Sequence, residues 1–308
     1  MSVVQEVAPV EEQVPAAAAA APAEKKTRKR NFLYNKAGFW SYAFLSIVAL
    51  IGIAPLWWTF VVGTRDSFAV NEWPPAVLPG DNMWNNIDWV MNFQGGKFWV
   101  ALFNSLIISA VITLSVVFFC TLAGYAFAKL RFKGRNVLFA FILVTLAIPV
   151  QLGIIPLFIL INSWGLVGNI LAVIMPGLVT AFGVFFMRQY LVDAIPDELI
   201  EAARVDGANQ WKVFMTAGLP AARPAMAILG LFTFVSTWTD FMWPYMVLGA
   251  QNPTVQTVLA FMRADGGHTP DYSRIFMATF IATVPLLLLF IFAGKQLISG
   301  IMAGAVKG

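Results

Sequence analysis

The chain has 308 residues, of which 59% are hydrophobic and only 12% charged, far more apolar than an ordinary soluble domain. That balance excludes a water-soluble globular protein and indicates an all-α, polytopic membrane protein. The net charge of +4 is small and asks for no nucleic-acid partner.

Residues 1–24 are rich in Ala, Pro, Val and Glu without an amphipathic period, and a basic run from Lys25 to Arg30 follows. Residues 1–36 therefore read as a disordered basic tail whose cations lie against anionic headgroups. A secretory signal is the competing reading, but the next apolar segment spans about 25 residues without a small-residue cleavage site, so an uncleaved first span is expected.

A bilayer-crossing helix needs about 20 mostly apolar residues. Six segments within a transmembrane domain of residues 37–308 meet that length: 39–63, 99–128, 137–161, 169–187, 224–248 and 275–297. Their prolines (Pro55, Pro149, Pro156, Pro176, Pro244 and Pro285) are tolerated where neighbouring helices or water satisfy the freed carbonyls. The alternating short strands of a membrane barrel are missing from the pattern.

With a cytoplasmic amino terminus, all of the 20 Lys and Arg except Arg65, Lys97, Arg263 and Arg274 fall on the inner side. The positive-inside bias thus places both termini in the cytoplasm. Trp57, Trp58, Trp99, Trp164, Trp238 and Trp243 then lie near outer span ends, or else pack between helices. The outer loop 64–98 carries turn chemistry at Trp73-Pro74-Pro75, Pro79-Gly80-Asp81 and Asn85-Asn86, and the loop 249–274 carries Gly266-Gly267. Both are long enough to meet a soluble partner. In the second span Ser105, Ser109, Thr113, Cys120, Gly124 and Ala128 share one face, a small-residue stripe that favours close helix packing over pore lining. The single Cys120 cannot form an intrachain disulfide, and His268 alone cannot build a histidine metal site, so no metal is expected.

Between the fourth and fifth spans, a loop at about 193–223 turns polar. Its acids Asp193, Asp197, Glu198 and Glu201 cluster around Pro196, as at a helix start. A short helix is expected over 197–205, ended by Gly207. A second should run from Asn209 toward Thr216 before Leu219-Pro220 leads into the fifth span. Two helices around a glycine elbow make a compact knob. The methyl side chains of Ala202 and Ala203 would let it enter a groove, and Glu201 could meet an arginine. An amphipathic helix lying on headgroups is the alternative, poorly suited to so acidic a start.

By these boundaries Asp240 is the one carboxylate inside a span, flanked by Trp238, Trp243 and Tyr245. An intramembrane carboxylate is a functional-site candidate. Carboxylate plus aromatic rings suits an outer vestibule or gate, and a carboxylate that snorkels to water among belt aromatics fits equally. Gln151 is a weaker candidate for polar lining of the substrate pathway.

The string Ile195-Pro196-Asp197-Glu198-Leu199-Ile200-Glu201-Ala202-Ala203-Arg204-Val205-Asp206-Gly207-Ala208, followed by Leu219-Pro220, resembles the EAA loop of bacterial ABC importer permeases, in their maltose-type and glycerol phosphate-type sugar branch. Asn104-Ser105-Leu106, Gly124-Tyr125-Ala126-Phe127-Ala128 before Arg131-Phe132-Lys133-Gly134-Arg135, and Ala303-Gly304-Ala305-Val306-Lys307-Gly308 are similar as well. The resemblance implies a bacterial inner-membrane, multi-pass permease with an ABC importer permease fold and a cytoplasmic coupling helix. Glu201, Ala202, Ala203, Gly207, Leu219 and Pro220 would couple to two copies of a cytoplasmic ABC ATPase. A second permease and an external solute-binding protein would complete the assembly, in contact with membrane lipid. ATP and Mg would bind the partner ATPase, and this chain, which has no P-loop sequence, would bind no cofactor and catalyse nothing. A permease for an amino acid or polyamine is the alternative within the class. An ion-coupled secondary transporter would need more intramembrane ionisable groups, and a membrane enzyme lacks a nucleophile with a base.

Overall fold

The computed structural model describes residues 38–265 and 270–305, and its regular structure is helical, with no strand among the described residues. The expected tail 1–36, Gly266-Gly267, His268 and Lys307 lie outside the described residues. The chain divides at Ile51–Gly52 into two units, the first containing the amino-terminal part of α1 (Phe39–Gly63). The remaining helices belong to the second.

Five helices are long and apolar enough to cross a membrane, or six if one bent pair counts as a span. α1, α3 (Lys97–Lys129) and α13 (Tyr272–Ala305) begin within three residues of the expected positions. The third and fourth depart from expectation at their prolines, and the fifth at both ends.

The third expected span, 137–161, is not one helix. α4 (Arg135–Leu146) and α5 (Ile154–Ser163) are joined through a 3-10 turn at Val150–Gly153, and the pair is bent by 92°. Pro149 itself is non-helical, at φ -60 and ψ 123, and donates no hydrogen bond, so the ladder stops there. The fourth breaks after Pro176 into α6 (Leu171–Gly177) and α7 (Ala181–Ala194). Thr180 restarts it as N-cap, its hydroxyl accepting from Gly183 N at 3.0 Å. α7 outruns its expected end at 187 and stops where Pro196 imposes extended backbone on Ile195.

The fifth expected span, 224–248, starts too late and ends too late. The chain is helical from α9 (Gln210–Val213) through a π-helical turn at Phe214–Gly218 into α10 (Leu219–Trp238), then breaks before α11 (Met242–Leu248). Leu219-Pro220 therefore lies within a continuous helix rather than leading into one. The π-turn re-spaces the carbonyls beside Pro220, whose nitrogen needs none of them.

The two long loops expected on the outer side are not bare coil. α2 (Met83–Asn92) buries Asn86 and Val90, one turn apart, and α12 (Val255–Asp265) buries Val255, Val258 and Met262. Asn85-Asn86 is thus helical, not a turn. The Asn86 amide donates to Gly63 O and Arg65 O, both at 2.9 Å, satisfying carbonyls left open where α1 ends.

One core gathers Ile112, Val116, Met187 and Leu229 from α3, α7 and α10, and another gathers Val90, Phe98, Val258 and Met277 from α2, α3, α12 and α13. The small-residue stripe on α3 serves this packing. A Cβ on Gly124 would stand 2.6 Å from Met187 Cβ, and one on Gly183 would stand 2.7 Å from Cys120 Sγ. Ser105 Oγ accepts from Val255 N at 2.8 Å, where α12 begins.

Candidate coupling elbow and pathway residues

Beyond Pro196, α8 (Asp197–Val205) opens with Asp197 and Glu198 and closes with Arg204, each charge matching the helix dipole. Its inner face is apolar: Ile200 is buried, and Ala203 packs partly buried against the core. Glu201 and Ala202 are exposed, as are Leu199 and, at 88%, Val205.

The end of α8 is a Schellman cap. Gly207 takes φ +76, its N–H bonds Arg204 O at 3.0 Å, and Ala208 N bonds Ala203 O at 3.0 Å. Asn209 then caps α9, its side-chain oxygen accepting from Lys212 N at 2.8 Å. Stop and start signals within three residues build the elbow from local chemistry alone. Trp211 stacks on Phe214, which meets the Tyr125 ring of α3 at 5.2 Å. A Cβ on Gly218 would lie 3.1 Å from both the Phe214 and the Tyr125 ring, so glycine leaves room for this contact.

α8 is also tied to α3. Lys129 Nζ donates to Asp197 Oδ1 at 2.8 Å and to Val192 O at 3.1 Å. The Lys129 hydrogen bond, reinforced by its charge, holds the Asp197 carboxyl below its usual range, with a lesser contribution from Arg131. Sequence reasoning did not single out Lys129. Its available signal was a cation ending the longest inner-directed apolar run.

Glu201, Ala202, Ala203 and Gly207 thus share one hairpin, whereas Leu219 and Pro220 stand at the start of α10, Leu219 half-buried and Pro220 exposed. The residues expected to line the pathway are dispersed. Trp238 is 2% exposed, stacks on Phe234, and donates through Nε1 to Ala282 O of α13 at 3.1 Å. Trp243 donates in the opposite direction, to Ala172 O of α6 at 3.1 Å. Tyr245 is exposed between the rings of Phe241 and Phe261. Asp240, half-buried, occupies the break between α10 and α11 rather than a helical span. Gln151 is exposed on the 3-10 turn of the bent pair.

Among the described residues no group of His, Cys, Asp and Glu could hold a metal ion.

A profile of the family described as "Binding-protein-dependent transport system inner membrane component" matches residues 120–299. The arabinooligosaccharides transport system permease protein AraQ of Halalkalibacterium halodurans is 35% identical over 216 residues, 70% of this chain and 76% of that protein. The lactose transport system permease protein LacG of Rhizobium radiobacter is 32% identical over 86% of this chain and 95% of its own length. The sn-glycerol-3-phosphate transport system permease protein UgpE of Salmonella typhi is 29% identical over 84% and 95%. Among solved structures, a bacterial ABC transporter involved in the import of the acidic polysaccharide alginate superposes with a TM-score of 0.71 at 23% identity, covering 82% of this chain and 94% of that one. The profile alone spans more than half of the sequence, including α8, the elbow and α10: the chain belongs to the binding-protein-dependent transport system inner membrane component family.

Proposed function

We propose that this chain forms half of the translocation pore of an ATP-driven importer for a carbohydrate, an oligosaccharide or related sugar, and catalyses no reaction itself. Its partners in this reading are a second permease, two copies of a cytoplasmic ATPase that binds ATP and Mg, and an external solute-binding protein. The sugar class is supported by the relatives, which include arabinooligosaccharide, lactose and sn-glycerol-3-phosphate permeases. A neighbouring structure was determined with a periplasmic protein carrying an alginate pentasaccharide.

The observation that carries the mechanism is the capped hairpin around Gly207, which presents Glu201 and Ala202 outward while Ile200 and Ala203 root it in the core. A rigid, locally determined knob transmits a push; a loose loop would absorb it. ATPase closure on Glu201, Ala202 and Ala203 moves the hairpin. The continuous helix from Gln210 to Trp238, with Leu219 and Pro220 near its start, carries that motion across the membrane.

The bent pair supports a partner across the pathway. Backbone that leaves the helical ladder at membrane depth needs shelter from lipid by protein or water. Val150 and Leu152 are 80% and 70% exposed on either side of Gln151, so a second permease and a watery passage would provide that shelter. Asp240 and Tyr245, at the second break, are the remaining pathway candidates.

Cysteine labelling tests the orientation. Cys120 is fully buried, so a cysteine placed at Glu201 gives the accessible signal. Reaction with membrane-permeant but not impermeant reagents is expected, and labelling from outside intact cells would overturn the reading. Reconstitution with the partners tests the coupling: Gly207→Leu should abolish the stimulation of ATP hydrolysis by solute-loaded binding protein. Stimulation equal to the unmodified transporter would contradict it.

A further inference from the structure

Apart from the weak pull of Arg131 on the Asp197 carboxyl, the segment joining α3 to α4 has no part in the coupling or pathway reading above. Leu130 leaves α3 with extended backbone, Gly134 turns the chain at φ +84, and α4 begins at Arg135. A shallow, open concavity of about 540 Å³ lies on this turn, lined by the residues from Arg131 to Val137. Three of those residues are cations, and none is a carboxylate. Among the described residues Arg131, Lys133 and Arg135 form no ion pair. Arg135 Nη1 instead donates to Leu130 O at 3.3 Å and holds the turn together.

The surroundings say what sort of anion fits. The concavity sits where one candidate membrane-spanning helix ends and the bent pair begins, and a turn joining two spans meets the headgroup layer. α4 buries none of its residues. Val137, Phe141 and Val144, spaced four and three residues apart on one face, are 75%, 67% and 61% exposed. A cationic cup thus opens onto an apolar stripe. A soluble anion would use only the cup, and an acidic peptide would leave the stripe uncovered.

We propose that this turn binds an anionic phospholipid, with its phosphate among Arg131, Lys133 and Arg135 and an acyl chain along Val137, Phe141 and Val144. Opposite charge draws the headgroup in, and the stripe, which faces hydrocarbon, sets the line along which the acyl chain packs. Phosphatidylcholine has the same tails, but its choline cation opposes the cup.

The test places the assembled transporter in nanodiscs containing a photoreactive phosphatidylglycerol or a phosphatidylcholine with identical chains, and maps labelled peptides. Phosphatidylglycerol should mark the 131–144 region about tenfold more strongly than phosphatidylcholine. The combined Arg131→Gln, Lys133→Gln and Arg135→Gln variant should fall to the phosphatidylcholine level, whereas Arg131→Lys, Lys133→Arg and Arg135→Lys together should retain the difference. If the triple Gln variant does not insert, Lys133→Gln alone should lower labelling about threefold. Equal labelling by both lipids, or labelling unchanged in the Gln variants, overturns the proposal. Loss of labelling on adding inorganic phosphate would assign the cup to a soluble phosphate and also overturn it.

Discussion

Lys129, the last residue of α3, reaches the Asp197 carboxylate at 2.8 Å with its own side chain only 6% exposed, while that of Asp197 is 73% exposed. One end of the pair is therefore anchored in the body of the protein and the other lies in solvent on the first turn of α8. The contact fixes the angle at which α8 leaves the end of α3.

The pair has a defined pH signature. The carboxyl is held below its ordinary value of 3.8 by the Lys129 hydrogen bond, so its contribution is complete above that value and disappears as pH falls through the lowered one. Because Asp197 is so exposed, the stabilisation should stay below about 1 kcal/mol. Hydrogen exchange of the α8 amides, corrected for intrinsic rates, should show extra opening only below about pH 4. Asp197→Asn should show that opening already at neutral pH, with no further acid step. An acid step persisting in Asp197→Asn would assign it to another group.

Gly207 offers a purely conformational prediction. A Cβ there would meet nothing within 4 Å, yet φ is +76, so any cost comes from the backbone. Gly207→Ala should weaken the elbow by about 1–2 kcal/mol, and Gly207→Asn by less, because asparagine tolerates the left-handed region. Protease nicking of the loop should rank the variants in that order. Equal nicking rates would mean the cap is not what holds the hairpin.

The hairpin was legible in sequence because the signals that start and stop its helices are local: Pro196, Gly207 and Asn209 each act within four residues of themselves, whereas the tie from Asp197 to Lys129 is long-range. The breaks at Pro149 and Thr239–Phe241 were not legible. Both segments are apolar enough to pass as continuous spans, and bilayer helices tolerate proline often enough that its presence alone decides little. Asn86 misled for another reason. An asparagine pair reads as turn chemistry, but the Asn86 amide is used at long range, capping α1 from inside α2. The same holds for Trp238 and Trp243, whose ring nitrogens find backbone carbonyls on α13 and α6. No sequence period records such partners.

Gly124 separates contact from conformation in the opposite way to Gly207. A Cβ there would stand 2.6 Å from Met187 Cβ and 2.8 Å from the backbone nitrogen of Arg188. α3 and α7 would have to separate. Gly124→Ala should cost about 1–3 kcal/mol, as overpacking of a tight interface does. Gly153→Ala, where a Cβ meets nothing within 4 Å and φ is negative, should change stability by less than about 0.5 kcal/mol. Thermal unfolding of the two variants in one detergent measures the difference; comparable Tm losses would remove Gly124 from its packing role.

Trp238 and Tyr245 carry the last contrast. Both read from sequence as aromatic platforms beside Asp240, yet Trp238 is enclosed against α13 and Tyr245 is 46% exposed. Trp238→Phe keeps the ring packing and removes the Nε1 donor to Ala282 O, which should cost about 1 kcal/mol. Trp238→Ala should cost about 3–5 kcal/mol through the cavity it leaves. Neither change reaches a surface that solute could touch, so uptake by whatever properly folded transporter remains should keep its substrate preference. Tyr245→Ala should leave Tm nearly unchanged, within about 0.5 kcal/mol of stability, so any change in apparent affinity for solute would come from the pathway itself. A shift of substrate preference in Trp238→Phe at unchanged Tm would return Trp238 to the pathway and show that its burial against α13 is relieved during transport.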